Sequence, residues 1–314
     1  MPARAKASVR ALARRAFRSR LLPFGPWLVE WKWSRDARRA LEVPRRPATF
    51  NEKVRHKMAS DHRPLLTTFA DKVAVREYVS RTIGPHVLTE HYLVTEDPEA
   101  VRPESMPREV ALKASHASGG CVLVAEHAPR EHGLPDPPTG WQRFLVHPDS
   151  LDWDALRARC RTWLASRYGY WEWAYRGVPA RIVAEELLLD GGEVARDYKF
   201  FVFHGRARLV EVDFGRFGTH VRSLFTPEWE LLPVAYKRSR GPETPRPDAL
   251  AEMIAIAEAL AAPVDFVRVD LYCPGSRIVF GELTSYPIAG RGKFTPASFD
   301  AELGSWWSQP RRYR

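Results

Sequence analysis

The sequence predicts an α+β protein in which strands outnumber helices and many neighbouring strands run antiparallel. Two hairpins carry that prediction. Asp197–Phe203 and Arg206–Asp213 read as strands about the turn residues His204-Gly205. Phe266–Tyr272 and Arg277–Thr284 read as strands about Cys273-Pro274-Gly275-Ser276. Helical patterns lie elsewhere, and no internal repeat or low-complexity tract interrupts the chain.

In order, residues 8–22 fit an amphipathic helix, with Val9, Leu12, Ala16 and Phe17 on one stripe and Arg10, Arg14 and Arg18 on another. Phe24, Trp27, Trp31 and Trp33 follow Pro23. Basic residues with tryptophans fit an interfacial membrane anchor over residues 8–33, and equally an arm docked on the body. Pro44 and Pro47 bracket a linker, and helices are expected at about 50–60 and 67–82, the second ended by Gly84-Pro85. Glu109–Ala114 and Cys121–Ala125 read as strands flanking the polar loop Ser115–Gly120. Residues 128–141, rich in Pro and Gly, read as a surface excursion. A helix opened near Asp152 runs to about Tyr168, a buried strand covers Arg181–Leu189, and a last helix spans about 248–262.

The formal charge of +10 on 314 residues is concentrated. Residues 1–46 hold 13 Lys/Arg against 3 Asp/Glu, so the rest of the chain is neutral overall. A nucleic-acid-binding body would carry its basic patch on the fold, so nucleic acid is not an expected partner. Three widely spaced cysteines suggest a reducing compartment and neither a disulfide framework nor a zinc site. With no long apolar run and no secretory pattern, the expected location is the cytoplasm, at the inner membrane surface if the arm engages lipid.

The most informative chemistry lies in the last hairpin. Val267, Val269 and Leu271 share one parity, as do Val279, Gly281 and Leu283. If both sets face the core, Arg268, Asp270, Glu282 and Thr284 share the opposite face with Tyr272, Ile278 and Phe280. Two carboxylates so placed suit magnesium, and the arginine suits charge developing during a transfer. A solvated face with a cross-strand Arg–Glu pair fits the same pattern.

Other candidates are weaker alone. Lys113 ends a strand before Ser118-Gly119-Gly120, which suits a phosphate or an ordinary turn. Lys72 and Arg76 share a helical face for an anion or for solvent. Glu185 and Glu186 end an apolar strand, where carboxylates need partners such as ribose hydroxyls. Lys199 shares a face with Asp197, for a nucleotide or a structural ion pair. Asp213, Arg216, His220 and Arg222 cluster at a strand exit, a set suited to an anionic substrate group.

Taken together, these stretches resemble the TupA-like branch of the ATP-grasp superfamily, the teichuronopeptide-biosynthesis type. The resemblance runs through Ala48–Lys53, Asp71–Val79, Val110–Lys113, Val183–Glu186, Asp197–Phe201, Val212-Asp213 with Arg216, Val267–Tyr272 and Phe280–Thr284. It implies an ATP-grasp fold of two α+β subdomains clasping ATP. The layout it suggests is a basic arm at 1–46, an N-terminal part with the ATP-binding lid at 47–186, a C-terminal subdomain with the metal site at 187–305, and a tail at 306–314. By analogy Lys113 binds the α/β-phosphates, Ser118–Gly120 forms the lid, and Glu185 and Glu186 sit at the adenine–ribose hinge. Lys72 becomes an accessory phosphate ligand, and Asp270, Glu282 and the less usual Thr284 the Mg2+ ligands. Arg268 stabilises the transferring phosphoryl group.

The activity this implies is Mg·ATP-dependent ligation of a carboxylate to an amine through an acyl phosphate, in building a cell-surface polysaccharide or polypeptide. The expected partners are an acidic small-molecule or glycan acceptor, gripped by Arg216, His220 and Arg222, and an amine donor. Two alternatives use the same nucleotide residues: a kinase of the same fold acting on a sugar or alcohol, and a nucleotide-binding protein without turnover.

Overall fold

A computed structural model describes residues 25–310 and 312–313, apart from 137 and 139. The helix expected at 8–22 lies outside the described residues. The chain enters through helices α1 (Gly25–Ala40), α2 (Phe50–Ser60), α3 (Pro64–Ala70) and α4 (Val75–Thr82). Trp33 is buried on α1, 5.3 Å from the His62 ring and 6.1 Å from Trp171, so that part of the arm docks on the body. Thr49 and Glu52 form a reciprocal capping box that starts α2, satisfying backbone donors at its first turn.

The single helix expected at 67–82 is two. Asp71 ends α3 in an extended conformation, its Oδ1 accepts from Val73 N–H at 2.9 Å, and Arg181 holds its Oδ2 at 2.6 Å. An aspartate whose side chain bonds the backbone two residues on competes with helix continuation. Lys72 therefore stands in a turn.

The first sheet comprises β1 (His91–Thr95), β2 (Val110–Ala114), β3 (Cys121–Val124), β4 (Arg143–Val146) and β5 (Ile182–Glu185) in the order β1-β5-β2-β3-β4. β3 and β4 run parallel and the other pairs antiparallel. Helix α5 (Trp153–Ala165), opened by the Asp152 cap, buries Leu156, Cys160 and Trp163 with Leu112, Val122 and Ile182 of this sheet. The apolar run expected over 181–189 stops at Glu185. The Glu186 N–H bonds Glu90 O instead, and only the short β6 (Leu189–Asp190) and β7 (Glu193–Val194) follow.

The second sheet is antiparallel throughout: β8 (Asp197–Phe203), β9 (Arg206–Phe214), β10 (Val221–Phe225), β12 (Phe266–Tyr272) and β13 (Val279–Thr284), ordered β10-β9-β8-β12-β13. A short ribbon of β11 (Ala235–Tyr236) and β14 (Phe294–Thr295), and helices α6 (Leu250–Ala261) and α7 (Ser298–Ser305), complete this half. Phe50, Val54, Met58, Leu66 and Phe69 of α2 and α3 pack into one cluster with Phe201, Phe203 and Phe266. These two helices thus pack with the second sheet and not with the first.

Buried charge fixes α2 against the root of β12. Lys57 Nζ lies 2.7 Å from Asp61 Oδ2 and 2.5 Å from Asp265 Oδ1, and Asp265 also accepts from Trp307 and Tyr313. Removing Lys57 or Asp61, which are fully buried, costs about 3–5 kcal/mol, because the remaining charge keeps its desolvation penalty.

Candidate functional site

The two sheets enclose a cleft of about 1120 Å³, open mouth included. One wall comes from one face of the first sheet. Val183, Lys113, Cys121 and Arg143 stand in register across β5, β2, β3 and β4, with Glu185 one step along. Lys113 meets Glu185 in a very short ion pair, and Glu185 also accepts from Thr89 Oγ1 at 2.9 Å. Burial works against both charges, yet each holds the other: Lys113 stays above its ordinary value and Glu185 well below the usual carboxylate range. Lys72 Nζ reaches the Ala117 carbonyl at 2.5 Å from the adjoining turn, and burial lowers its pKa.

Gly119 and Gly120 line this wall, and both are sterically required. Gly119 has φ +100°, and a Cβ there would lie 2.7 Å from Trp141 O; one on Gly120 would lie 2.8 Å from the Trp141 ring. Ser118 stands outside the lining, beside Tyr168.

The opposite wall is the charged face of the second sheet. Glu282, Asp270, Lys199 and Glu211 form one row across β13, β12, β8 and β9. Arg268 donates to both Asp270 oxygens at 2.6 and 2.7 Å, to Glu282 Oε1 at 2.8 Å and to Thr284 Oγ1 at 3.0 Å. Arg268, Asp270, Glu282 and Thr284 thus share one face as strand parity assigns, whereas beyond the slip at Leu271 the expected parity is reversed: Phe280 pairs with core Leu271 and Val279 with Tyr272. Burial raises Asp270 despite Arg268 and Lys199, whereas Arg268, Lys72 and Lys199 overcome burial to depress Glu282. The ladder slips by one residue between Asp270 and Leu271, leaving Gly281 in a bulge. A Cβ on Gly281 would meet the Tyr272 ring at 2.8 Å and Asp270 O at 3.0 Å, so glycine lets the ribbon close there. Strand β13 starts at Val279, two residues later than expected, and Tyr272 and Phe280 line the cleft.

The remaining expected residues divide. Lys199 lies beneath the cleft surface, in very short contact with Asp197 and 3.2 Å from Asp270. Arg216 lines the cleft and grips Asp197 at 2.7 Å. Glu186 lines it too, paired with Arg277. Arg222 is a correction: it is buried, paired to Asp213 at 2.7 Å and Glu211 at 2.9 Å, and lines no part of the cleft. His220 lies 2.9 Å from Asp213 Oδ1 and likewise stands off the cleft. Arg222 neutralises buried acids and is not free to hold an acceptor, while burial lowers the pKa of His220 beside Asp213.

Asp197, expected beside Lys199, is a cleft residue that anchors both Lys199 and Arg216, and one group escaped the sequence reading: Arg143, a further cation on the first wall. Arg143 was hidden because β4 pairs parallel with β3 across a Pro/Gly-rich excursion, a pairing that local pattern does not reveal.

Among the described residues no helix is long and apolar enough to cross a membrane. No curated protein matches the chain. Among solved structures, the ATP-grasp ligase PsnB complexed with a phosphomimetic variant of its minimal precursor, Mg and ADP is 11% identical with a TM-score of 0.40, over 74% of this chain and 58% of that one. The D-alanine–D-alanine ligase from Bacillus anthracis complexed with ATP is 13% identical with a TM-score of 0.39, over 71% and 57%. N5-carboxyaminoimidazole synthase from Aspergillus clavatus, with ADP and 5-aminoimidazole ribonucleotide, is 13% identical with a TM-score of 0.36, over 69% and 44%. The chain thus spans less than two thirds of the solved chains it matches. The sequence profile described as TupA-like ATPgrasp matches residues 158–307, from α5 through β13 to the end of α7. Over those residues, just under half of the chain, the sequence is similar to the TupA-like ATP-grasp family.

Proposed function

We propose that the chain is a Mg·ATP-dependent carboxylate–amine ligase working through an acyl phosphate. One observation carries this reading: a single cleft sets Lys72, Lys113 and Arg143 on one wall against Asp270 and Glu282 on the other, with Arg268 bonded to both acids behind them. Cations on the lid suit a polyphosphate, and Arg268 suits the charge of a phosphoryl group in flight. Ala111, Leu123, Leu188 and Phe280 offer the base an apolar slot, with Glu185 and Glu186 at its edge for ribose hydroxyls.

Asp270 and Glu282 face each other in register and present only oxygen donors, which fits magnesium. No third His, Cys, Asp or Glu joins them among the described residues, so phosphate oxygens would complete the shell. Magnesium there would neutralise phosphate charge. In the reaction the acceptor carboxylate attacks the γ-phosphorus and ADP leaves; the amine then attacks the acyl carbon and phosphate leaves. Both steps need positioning and charge neutralisation more than a protein nucleophile.

A place in cell-surface polysaccharide or polypeptide synthesis accords with the family, and the +10 arm at 1–46 accords with an anionic membrane or lipid-linked substrate. Of the cations in the β9–β10 connection, Arg216 is the one facing the cleft for an acidic acceptor. The test is ADP release from Mg·ATP with uronic acids or glutamate, with and without amines. Release that needs both acid and amine supports the ligase. A stable phosphorylated alcohol would make the protein a kinase, and ATP binding without turnover on any acid would leave a binding protein.

A further inference from the structure

The ribbon of β11 and β14 concentrates positive charge on a body that is neutral overall. Lys237, Arg238 and Arg240 follow β11, Arg291 and Lys293 lead into β14, and all five are exposed. Among the described residues none of the five is in an ion pair. Arg222, on the adjoining strand β10, is by contrast paired to both Glu211 and Asp213.

The platform under these cations is rigid. The buried Tyr236 and Phe294 rings stack at 4.2 Å, and a Cβ on Gly292 would lie 2.2 Å from the Tyr236 ring. Asn51 of α2 holds Gly292 twice, Nδ2 donating to its carbonyl at 2.7 Å and Oδ1 accepting from its N–H at 3.1 Å. Tyr236 pairs with Phe294, and the Lys237 N–H donates to Lys293 O at 2.8 Å, so the two lysines stand opposite each other at the ribbon's end. Like charges directly opposite destabilise a strand pair. The backbone adds a second cost there. Arg238 N–H donates to Tyr236 O at 2.7 Å about a Lys237 φ of +60°, as in the rare, strained γ-turn. Two local costs at one exposed cationic end point to an anion that offsets them.

The Arg222 N–H donates to Ser239 O at 3.0 Å and the Gly241 N–H to Arg222 O at 2.8 Å, so residues 239–241 run along the outer edge of β10. From Asp270 on β12, across β8, β9 and β10, that edge is four strand spacings away, about 20 Å.

We propose that the ribbon is a docking surface for an acidic polysaccharide, along which a polymeric acceptor lies while one of its carboxylates occupies the cleft. The proposal deepens the ligase reading and rests on it: a small acid cannot reach across about 20 Å, whereas a polymer can. Clustered unpaired cations select a polyanion. The large apolar side chains exposed among the described residues are Trp31, Val94, Tyr170 and Phe217, none of them on the ribbon. It therefore lacks the rings on which the bases of a single strand stack and the apolar face that enters a membrane interface. A uronate carries its carboxylate on a ring, so it loses less freedom on a rigid platform than a flexible acidic polypeptide does.

The test uses the full chain with polygalacturonate as the probe, followed by titration calorimetry. Saturable binding is expected in the wild type, weakening as salt rises. Lys237→Gln combined with Lys293→Gln should weaken it about tenfold or more. Mg·ADP affinity should be unchanged, and the melting temperature should not fall, because opposed like charges are removed. In the acid-plus-amine assay the double variant should raise KM for polygalacturonate and leave that for galacturonate unchanged. Absence of saturation in the wild type, or equal binding by the double variant, would overturn the docking surface. Polyglutamate or single-stranded DNA bound as tightly as polygalacturonate would overturn its assignment to a polysaccharide. If no acid, short or long, gives two-substrate turnover, the ligase reading fails, and the polygalacturonate titration still decides the docking surface.

Discussion

Asp270 and Glu282 stand directly opposite each other across the last hairpin, and the Arg268 guanidinium bonds both. Two acids and a cation so joined can trade partners at little cost. When phosphate and metal enter, the carboxylates gain a cation and the guanidinium gains an anion. Asp270→Asn is therefore expected to lower turnover about a hundred- to thousandfold. The fold should persist with a loss of about 1–3 kcal/mol, since Arg268 keeps Glu282 and Lys199 keeps Asp197. Steady-state ADP release and thermal melting check both parts; near-normal turnover would remove Asp270 from the site.

Lys113→Met should raise the ADP dissociation constant about ten- to hundredfold, the worth of a charge-assisted contact. Glu185 retains Thr89 at 2.9 Å and His91 at 3.4 Å, so the first sheet should stay folded. Titration calorimetry with Mg·ADP measures the effect. An unchanged affinity would leave Lys113 a purely structural partner of Glu185.

Gly281→Ala places a methyl against the Asp270 carbonyl and the Tyr272 ring. The expected cost is about 1–3 kcal/mol, together with reduced turnover, because relief must come from moving the backbone that carries Asp270. A variant with wild-type melting and activity would show that the bulge is not needed.

Glu211 is fully buried in the charged row, and burial pushes its pKa up to about 7. Below the unfolded value both states hold the proton. Between that value and about 7 only the folded chain keeps it, so this group's contribution to stability is lost as pH rises through that window. Glu211→Gln should thus gain stability relative to wild type from about pH 5 to about pH 8, by up to about 3 kcal/mol. Chemical denaturation at the two pH values measures the difference. A pH-independent difference would place the charge on Glu211 throughout.

Arg222→Lys loses the fork that serves Asp213 and Glu211 together. A drop of several degrees in melting temperature is expected, with Mg·ADP affinity unchanged. A weakened nucleotide affinity at unaltered stability would return Arg222 to the cleft.

The last hairpin was legible in the sequence because strand parity is local: one shared core face dictates that Arg268, Asp270, Glu282 and Thr284 emerge together. The His204-Gly205 hairpin and the Asp152 helix start follow equally from turn and cap chemistry. The break at Asp71 was not legible, because its second partner, Arg181, lies far along the chain. Nor were the burial of Arg222, decided by acids on the neighbouring strand β9, or the place of Arg143, decided by a parallel pairing. Sequence by itself determined which residue types share a strand face, since side chains alternate with a period of two. Only the tertiary structure decided which charges neutralise one another and which face the cleft, because that depends on strands brought together from distant parts of the chain.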